Sequence, residues 1–448
     1  MPRFMFPSKL TCLLRRHHYA QKPWIGVLAL CLLPLAGGTA SAAGQEKGSL
    51  SLYIEESVQE EYREVFDAYR EAYPGVELQV ETYPAQEYRE ARGRRNAMLL
   101  EGEGPDLLLF GVYDNDDLYK AMSSGLFAPL EGFMERDKDY RPEDYMENVM
   151  EAGVWNSSQY VIPLQYDVSC LISSEECLEE IGFELEECGT FDGLFSQMTD
   201  LYDTEYSYKV MGNAGIFDAL PDIMGLELLD YENCQVSADS PELKRAMEQY
   251  KKMYKEVLLQ ISNRLEQGGF SGIGKAIGRR EAYFAAGYGI YHTLSVCRGI
   301  AETETPVLIP IRTLDGKING TAVSSAAVRA NSPNQENAWN MIRMMLEYQA
   351  KGVGLTGVYF PVNQAGFALT EEKALKDMEL YESGGEISQE LLESYREIQK
   401  EAEHVYFNRG ITAGYLTQRV MVPYLTGSAS YEACIEQYTE YVQSYLAK

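Results

Sequence analysis

The sequence of 448 residues contains little histidine or tryptophan and has a clear shortage of positive charge. It holds 4 histidines and 3 tryptophans against 33 tyrosines. Lys and Arg total 39 while Asp and Glu total 68, so the formal net charge is -29. Because so acidic a surface repels phosphate backbones and anionic lipid, we expect no nucleic-acid partner.

Sequence signatures of several enzyme and metal-site classes are also missing. Beyond residue 42 the only histidines are His292 and His404, too few for a multi-histidine metal site. The later cysteines show no Cys-x-x-Cys spacing, and both disulfides and free buried thiols stay open for them. There is no Gly-x-Ser-x-Gly nucleophile elbow. We therefore expect no metal, no cofactor and no catalytic residue.

The first 42 residues have the pattern of a secretory signal peptide. They contain Arg and Lys but no Asp or Glu, and an apolar run extends from Trp24 to Ala36. Ala40-Ser41-Ala42 then supplies a small-residue cleavage pattern. The protein is expected outside the cell or at the cell envelope. An uncleaved membrane anchor and lipidation of Cys31 stay open as alternatives.

The chain after the leader opens with alternating strand and helix patterns. Residues 49–54 alternate as a strand does, and Ser57 can cap the helix that follows. A second strand is predicted at 76–80, a polar helix at 86–100 and a buried strand at 107–110. The order β-α-β-α-β is typical of a sheet covered by helices.

A glycine-rich segment interrupts the mainly helical pattern of residues 173–300. Its part from Gly269 to Ala276 nearly matches a phosphate-binding loop. Ala276 stands where that loop needs Ser or Thr to hold magnesium. We interpret residues 268–278 as a flexible surface loop and not as a nucleotide site.

Some of the many aromatic residues stand where a ligand would bind. Tyrosine joins a flat apolar face to a polar tip, which suits a cleft for a polar, ring-shaped solute. Tyr83, Tyr113 and Tyr166-Asp167 lie at the ends of predicted strands. Ligands of open α/β sheets bind outside the carboxyl ends of strands. Trp155, just before a predicted turn, is a further candidate for lining a cleft.

Four short motifs follow one another along the chain. Gly104-Pro105-Asp106-Leu107 resembles a G-x-P-D strand entry, and residues 159–164 resemble a y-x-i-P strand. Residues 278–284 resemble a G-x-x-A-M helix, and residues 331–339 an s-p-n-k-e-A-W segment. In this order they resemble bacterial extracellular solute-binding proteins of ABC importers, particularly the carbohydrate-binding group called family 1. The resemblance covers nearly the whole chain after the leader.

This resemblance implies an α/β, two-lobed periplasmic-binding-protein-like fold of type II. Each lobe would be a sheet flanked by helices, with a hinge between the lobes. The expected limits are 44–166 with 305–355 for lobe 1, and 169–303 with 359–448 for lobe 2.

The implied function is capture of a small solute, most readily a sugar or oligosaccharide, by closure of the lobes. The solute would pass to the ABC permease subunits in the membrane, and the protein would be a monomer and not an enzyme. A ligand-presenting sensor or adhesion module stays open, as does an extracellular glycoside hydrolase, which needs only two carboxylates. The predicted ligand-binding residues are Glu55, Tyr83, Tyr113, Asp114, Trp155, Tyr166, Asp167, Tyr291 and Tyr359.

Overall fold

The computed structural model describes residues 48–111, 118–212, 217, 219–260, 269–355, 357–407 and 413–447. The predicted leader and two predicted ligand-binding residues, Tyr113 and Asp114, lie outside these residues. The strands are β1 Gly48–Glu55, β2 Val76–Tyr83, β3 Leu107–Phe110, β4 Val154–Trp155, β5 Ser158–Gln159, β6 Val161–Asp167, β7 Cys170–Ser174, β8 Leu229–Asp230, β9 Gln235–Val236, β10 Ala285–Gly287, β11 Pro306–Pro310, β12 Ile318–Val328, β13 Phe360–Pro361 and β14 Ala402–Phe407.

Helices cover most of the remaining described chain. None of those in the described residues is both long enough and apolar enough to cross a membrane. They are α1 Glu56–Glu61, α2 Arg63–Ala72, α3 Tyr88–Leu100, α4 Leu118–Ser123, α5 Glu131–Arg136, α6 Glu147–Met150, α7 Glu175–Ile181, α8 Phe191–Asp200, α9 Leu220–Met224, α10 Pro241–Gln260, α11 Gly269–Gly278, α12 Ile290–Ile300, α13 Gln335–Gln349, α14 Phe367–Tyr381, α15 Gln389–Lys400, α16 Val422–Leu425 and α17 Tyr431–Leu446.

The larger sheet joins strands from the beginning, the middle and the end of the chain. Its order is β13-β6-β12-β3-β1-β2, and β14 also pairs with β12. β1 runs parallel to β2 and β3, as the opening β-α-β-α-β pattern predicts. The long strand β12 pairs antiparallel with β6 and β3 in its second half, and parallel with β14 in its first half. β12 is therefore the strand that holds these distant segments together.

A second sheet has three strands in the order β10-β7-β11, all paired antiparallel. Only Val168 and Ser169 separate β6 of the larger sheet from β7 of the smaller one. The chain returns to the larger sheet between β11 and β12. β11 thus pairs beside β7, and β13 and β14 lie in the larger sheet, across the lobe limits expected from the sequence. Those limits themselves stay a prediction.

The glycine-rich segment is helix α11, so the prediction of a surface loop at residues 268–278 was wrong over the helical part. A Cβ on Gly274 would lie 2.0 Å from the carbonyl oxygen of Val296 on α12. Likewise, a Cβ on Gly299 would lie 2.0 Å from the Ser271 carbonyl oxygen on α11. The two helices cross so closely that both positions require glycine. Tertiary packing overrides the low helix propensity of this segment.

The six cysteines beyond the leader are all free thiols. Five are buried and only Cys234 is exposed. Burial raises the pKa of the Cys188 thiol to about 11, so it stays protonated at neutral pH. The five buried thiols act as small apolar side chains of the core.

Candidate ligand-binding site

A pocket of about 410 Å³ lies where two short hairpins and helix α4 meet. Tyr119 of α4 and Trp155 of the β4–β5 hairpin line it. Tyr231, in the turn of the β8–β9 hairpin, lines it as well. The aromatic surface of the pocket is therefore assembled from three separated parts of the chain.

The Tyr231 ring contacts both of the other rings. The ring centroid of Tyr231 lies 5.8 Å from that of Tyr119 and 6.3 Å from that of Trp155. The Trp155 ring stands nearly perpendicular to Tyr231, at 83°. The Tyr119 hydroxyl oxygen accepts a hydrogen bond of 3.2 Å from the backbone N–H of Phe407 in β14. This bond anchors Tyr119 to the larger sheet, whereas Tyr231 is carried by a separate hairpin.

A tight turn positions Trp155. β4 and β5 are joined by Asn156 and Ser157, whose φ angles are 48° and 64°. Positive φ at both central residues is typical of the type I′ turn, which asparagine favours. Trp155 pairs directly with Ser158 across this turn. The turn predicted after Trp155 is confirmed, and it places the indole at the end of the hairpin.

The hairpin that carries Tyr231 is stabilised by Asp230. The Asp230 carboxylate accepts hydrogen bonds from the backbone N–H of Asn233 at 2.9 Å and from its side-chain Nδ2 at 2.7 Å. These bonds lower the pKa of Asp230, so the group is ionised at neutral pH. Asp230 and Tyr231 both line the pocket. The turn therefore fixes a carboxylate beside an aromatic ring.

Glu55 and Tyr83, two of the predicted ligand-binding residues, end β1 and β2 as register partners. The Tyr83 side chain is buried, and its ring centroid lies 5.0 Å from that of Tyr53. Glu55 accepts a hydrogen bond of 2.6 Å from the Ser57 hydroxyl. The prediction that Ser57 caps the helix was wrong, because α1 begins at Glu56 with Glu55 as its N-cap. Neither Glu55 nor Tyr83 lines the pocket.

Tyr166 and Asp167 lie in the interior at the end of β6. The Tyr166 side chain is 0 % exposed, and its ring lies among Phe360 and Phe367. The Asp167 Oδ1 atom accepts a hydrogen bond of 2.9 Å from the Gly289 N–H. Burial nevertheless raises the pKa of Asp167 to about 7. Both residues lie outside the pocket lining.

Tyr291 and Tyr359, the last two predicted ligand-binding residues, are half-buried and lie outside the pocket lining. The Tyr291 ring centroid lies 6.3 Å from that of Phe270 on α11. Burial raises the pKa of Tyr291 to about 12. Of the predicted residues that the structure describes, Trp155 alone lines the pocket. The binding roles of the others stay predictions.

Sequence reasoning missed Tyr119 and Tyr231, which complete the aromatic surface. A local signal for Tyr231 does exist, because it stands between Asp230 and the turn-forming Asn233 in a region of helical pattern. An aromatic residue inside such a turn is exposed unless another segment covers it. No comparable signal marks Tyr119, the second residue of α4.

Comparison with known proteins identifies the family. The family model described as bacterial extracellular solute-binding protein matches residues 55–352. The chain belongs to this family. Comparison with curated proteins gave no match.

Solved structures of solute-binding proteins share the fold. The sugar-binding protein MalE from Xanthomonas citri is 15% identical with a TM-score of 0.62, over 89% of this chain and 97% of that chain. An extracellular solute-binding protein of family 1 from Alicyclobacillus acidocaldarius is 13% identical with a TM-score of 0.58, over 91% and 100%. An ABC substrate-binding protein from Listeria monocytogenes in complex with cycloalternan is 11% identical with a TM-score of 0.57, over 90% and 100%. The predicted α/β periplasmic-binding-protein-like fold of type II is confirmed.

Proposed function

We propose that this solute-binding protein captures a saccharide outside the cell for an ABC importer, and that the saccharide occupies the pocket of Tyr119, Trp155 and Tyr231. The observation that carries the proposal is this pocket, where three aromatic rings and several carboxylates line about 410 Å³. That volume falls within the range of small-molecule sites, about 300–1,000 Å³. Aromatic faces pack against the C–H faces of sugar rings, while carboxylates accept bonds from hydroxyl groups.

Capture proceeds by closure of a hinge. Tyr119 is anchored to the larger sheet through Phe407, whereas Tyr231 is carried by the β8–β9 hairpin. A solute that touches both Tyr119 and the β8–β9 hairpin makes contacts in the closed form that the open form lacks. These contacts stabilise the closed form. The two-residue link of Val168 and Ser169 between the sheets is short enough to serve as part of the hinge. The membrane permease then receives the solute from the closed protein, and no bond in the solute is broken.

A ligand screen tests the binding function. The thermal unfolding of the purified protein is measured separately with each candidate solute. The candidates are neutral and amino disaccharides and oligosaccharides, and amino acids and polyamines represent the alternative solute classes. A saccharide present at 100 times its Kd stabilises the protein by about 2.7 kcal/mol. Trp155→Ala and Tyr231→Ala should remove most of that shift, while Tyr288→Ala, an exposed tyrosine outside the pocket lining, should keep it.

Three outcomes would contradict the proposal. Stabilisation by an amino acid or a linear polyamine alone would assign another solute class. Recovery of a hydrolysed saccharide would favour the glycoside hydrolase alternative. Small-angle X-ray scattering with and without the stabilising saccharide tests closure, because an unchanged radius of gyration would exclude a hinged clamp.

A further inference from the structure

Within the described part of the chain, the charged side chains that line the pocket all carry a negative charge. Asp222, Glu227, Asp230 and Glu232 contribute four carboxyl groups. Among the described residues that line the pocket there is no Lys, Arg or His. An anionic guest such as a uronic acid or a sugar phosphate would meet repulsion from each of these four carboxyl groups.

The carboxylate of Asp230 is held both in place and in its ionised form. Its two hydrogen bonds to Asn233 close the turn of the β8–β9 hairpin, immediately before Tyr231. The negative charge therefore does not depend on a mobile side chain. Glu227 precedes the hairpin and Glu232 lies in its turn, and both are exposed, so they add to the negative potential at the pocket.

The lysine next to Tyr119 in the sequence is engaged by helix α17. Lys120 follows Tyr119, but its Nζ atom donates a hydrogen bond to the carbonyl oxygen of Tyr445 on α17. The same Nζ atom lies 4.0 Å from the centroid of the Tyr445 ring. The Lys120 ammonium group is thus engaged by α17 and is not among the residues that line the pocket.

The aromatic rings favour a cation as well. The faces of tryptophan and tyrosine attract an ammonium group that approaches within about 6 Å of the ring centroid. Tyr119, Trp155 and Tyr231 supply three such rings beside the carboxylates. In the part of the chain that the structure describes, no group of three His, Cys, Asp or Glu side chains could hold a metal ion. The three rings beside the carboxylates therefore suit an organic cation.

We infer that the saccharide selected by this pocket carries a protonated amino group, so that the solute class is an amino sugar and not a neutral or acidic one. This inference rests on the proposed saccharide-binding function. The rings pack on the sugar face, and the carboxylates of Glu227, Asp230 and Glu232 attract the ammonium group.

Isothermal titration with a matched pair of disaccharides tests the inference. The β-1,4-linked glucosamine disaccharide and its N,N′-diacetylated form share one skeleton, but only the first is cationic. We expect the cationic form to bind at least tenfold more tightly at low salt, and the ratio to fall as salt screens the attraction. The double variant Glu227→Gln/Glu232→Gln should reduce the ratio severalfold. Glu103→Gln, an exposed carboxylate outside the pocket lining, is the matched control and should leave the ratio unchanged.

Each other result overturns the inference in a distinct way. Equal or tighter binding of the diacetylated form, or a ratio that the double variant leaves unchanged, excludes charge selection. Binding of neutral gluco- or manno-oligosaccharides without either glucosamine disaccharide also excludes it, while the proposed saccharide function stands. If no saccharide of any charge binds, the proposed function fails together with the inference.

Discussion

Two aromatic clusters built from similar residues have opposite environments. In the first, which we call the interior cluster, Tyr166 lies among Phe360 and Phe367, and all atoms of its side chain are shielded from solvent. In the pocket cluster, Tyr231 contacts Tyr119 and Trp155 at the surface of a cavity. The difference teaches that an aromatic residue at a strand end is open to a ligand only where no helix covers it. Helices α14 and α15 cover the end of β6.

The carboxyl groups beside the two clusters differ in the same way. Asp167 follows Tyr166 and is buried, which raises its pKa to about 7. Asp230 precedes Tyr231 and keeps a lowered pKa through its bonds to Asn233. The interior cluster therefore stands beside an acid that is partly protonated at neutral pH, and the pocket cluster beside a permanent charge.

The largest expected effect is on the interior cluster. Tyr166→Ala should lower the free energy of unfolding by about 3–5 kcal/mol, because it leaves a cavity among buried rings. Denaturant unfolding of the unliganded protein measures the change. Leu380→Ala on α14 is the control, since Leu380 is 66 % exposed and should change stability by less than about 0.5 kcal/mol. A small effect of Tyr166→Ala would reassign this ring to a ligand-binding surface.

A smaller effect is expected at the link between the sheets. The Gln399 side chain accepts a hydrogen bond from the Val168 N–H at 3.0 Å and donates one to the Val168 carbonyl oxygen at 2.9 Å. Gln399→Ala leaves both buried backbone groups without these partners, and we expect a loss of about 2 kcal/mol. Gln389→Ala, at an exposed position on the same helix, is the control. Equal stability of the two variants would mean that water replaces the Gln399 amide in its hydrogen bonds to the Val168 backbone.

The pH dependence of stability separates two buried groups near the interior cluster. Burial lowers the pKa of His292 to about 3, from about 6.5 in an unfolded chain. Below pH 6.5 the unfolded state binds the proton and the native state does not, so stability falls as pH falls. Asp167 has the opposite sign, because its native pKa of about 7 lies above the unfolded value of about 3.8. Between pH 3.8 and about 7 the native state holds the Asp167 proton and the unfolded state does not, so the free energy of unfolding falls as pH rises.

Single variants should reveal each slope. In Asp167→Asn the His292 contribution remains, and unfolding free energy should fall by about 1.4 kcal/mol for each pH unit from 6 to 4. In His292→Phe the Asp167 contribution remains, and the free energy should rise by a similar amount over that range. The difference between the two variants is the measured quantity, since other groups contribute to both alike. Parallel stability curves would show that neither group is perturbed as its burial implies.

The smallest effect on stability is expected in the pocket cluster. Trp155→Ala removes a half-buried ring whose main aromatic contact is Tyr231, and such a pair contributes about 0.5–1.5 kcal/mol. We expect the free energy of unfolding of the unliganded protein to fall by about 1 kcal/mol while saccharide binding is lost. A fall as large as that of Tyr166→Ala would place Trp155 in the core and remove the contrast between the clusters.

Local pattern predicted much of the fold but only part of the site. The alternation of residues 49–54 and the short apolar run at 107–110 indicated β1 and β3, because a half-buried or buried strand leaves a period visible in the sequence. The local pattern failed to predict helix α11, where the close approach of α12 requires glycine at position 274. Trp155 could be found from its turn, whereas Tyr119 becomes part of the site only through its distance to Tyr231.

The sequence by itself determined the family, the opening α/β unit, the excess of negative charge and the turn that presents Trp155. All of these depend on residue type, on spacing within a segment or on the order of motifs along the chain. Only the tertiary structure decided which rings face solvent, because that depends on which distant segments pack above them. Burial of Tyr166 under α14 and α15, and the meeting of residues 119, 155 and 231 around one cavity, are consequences of long-range packing that a linear pattern does not contain.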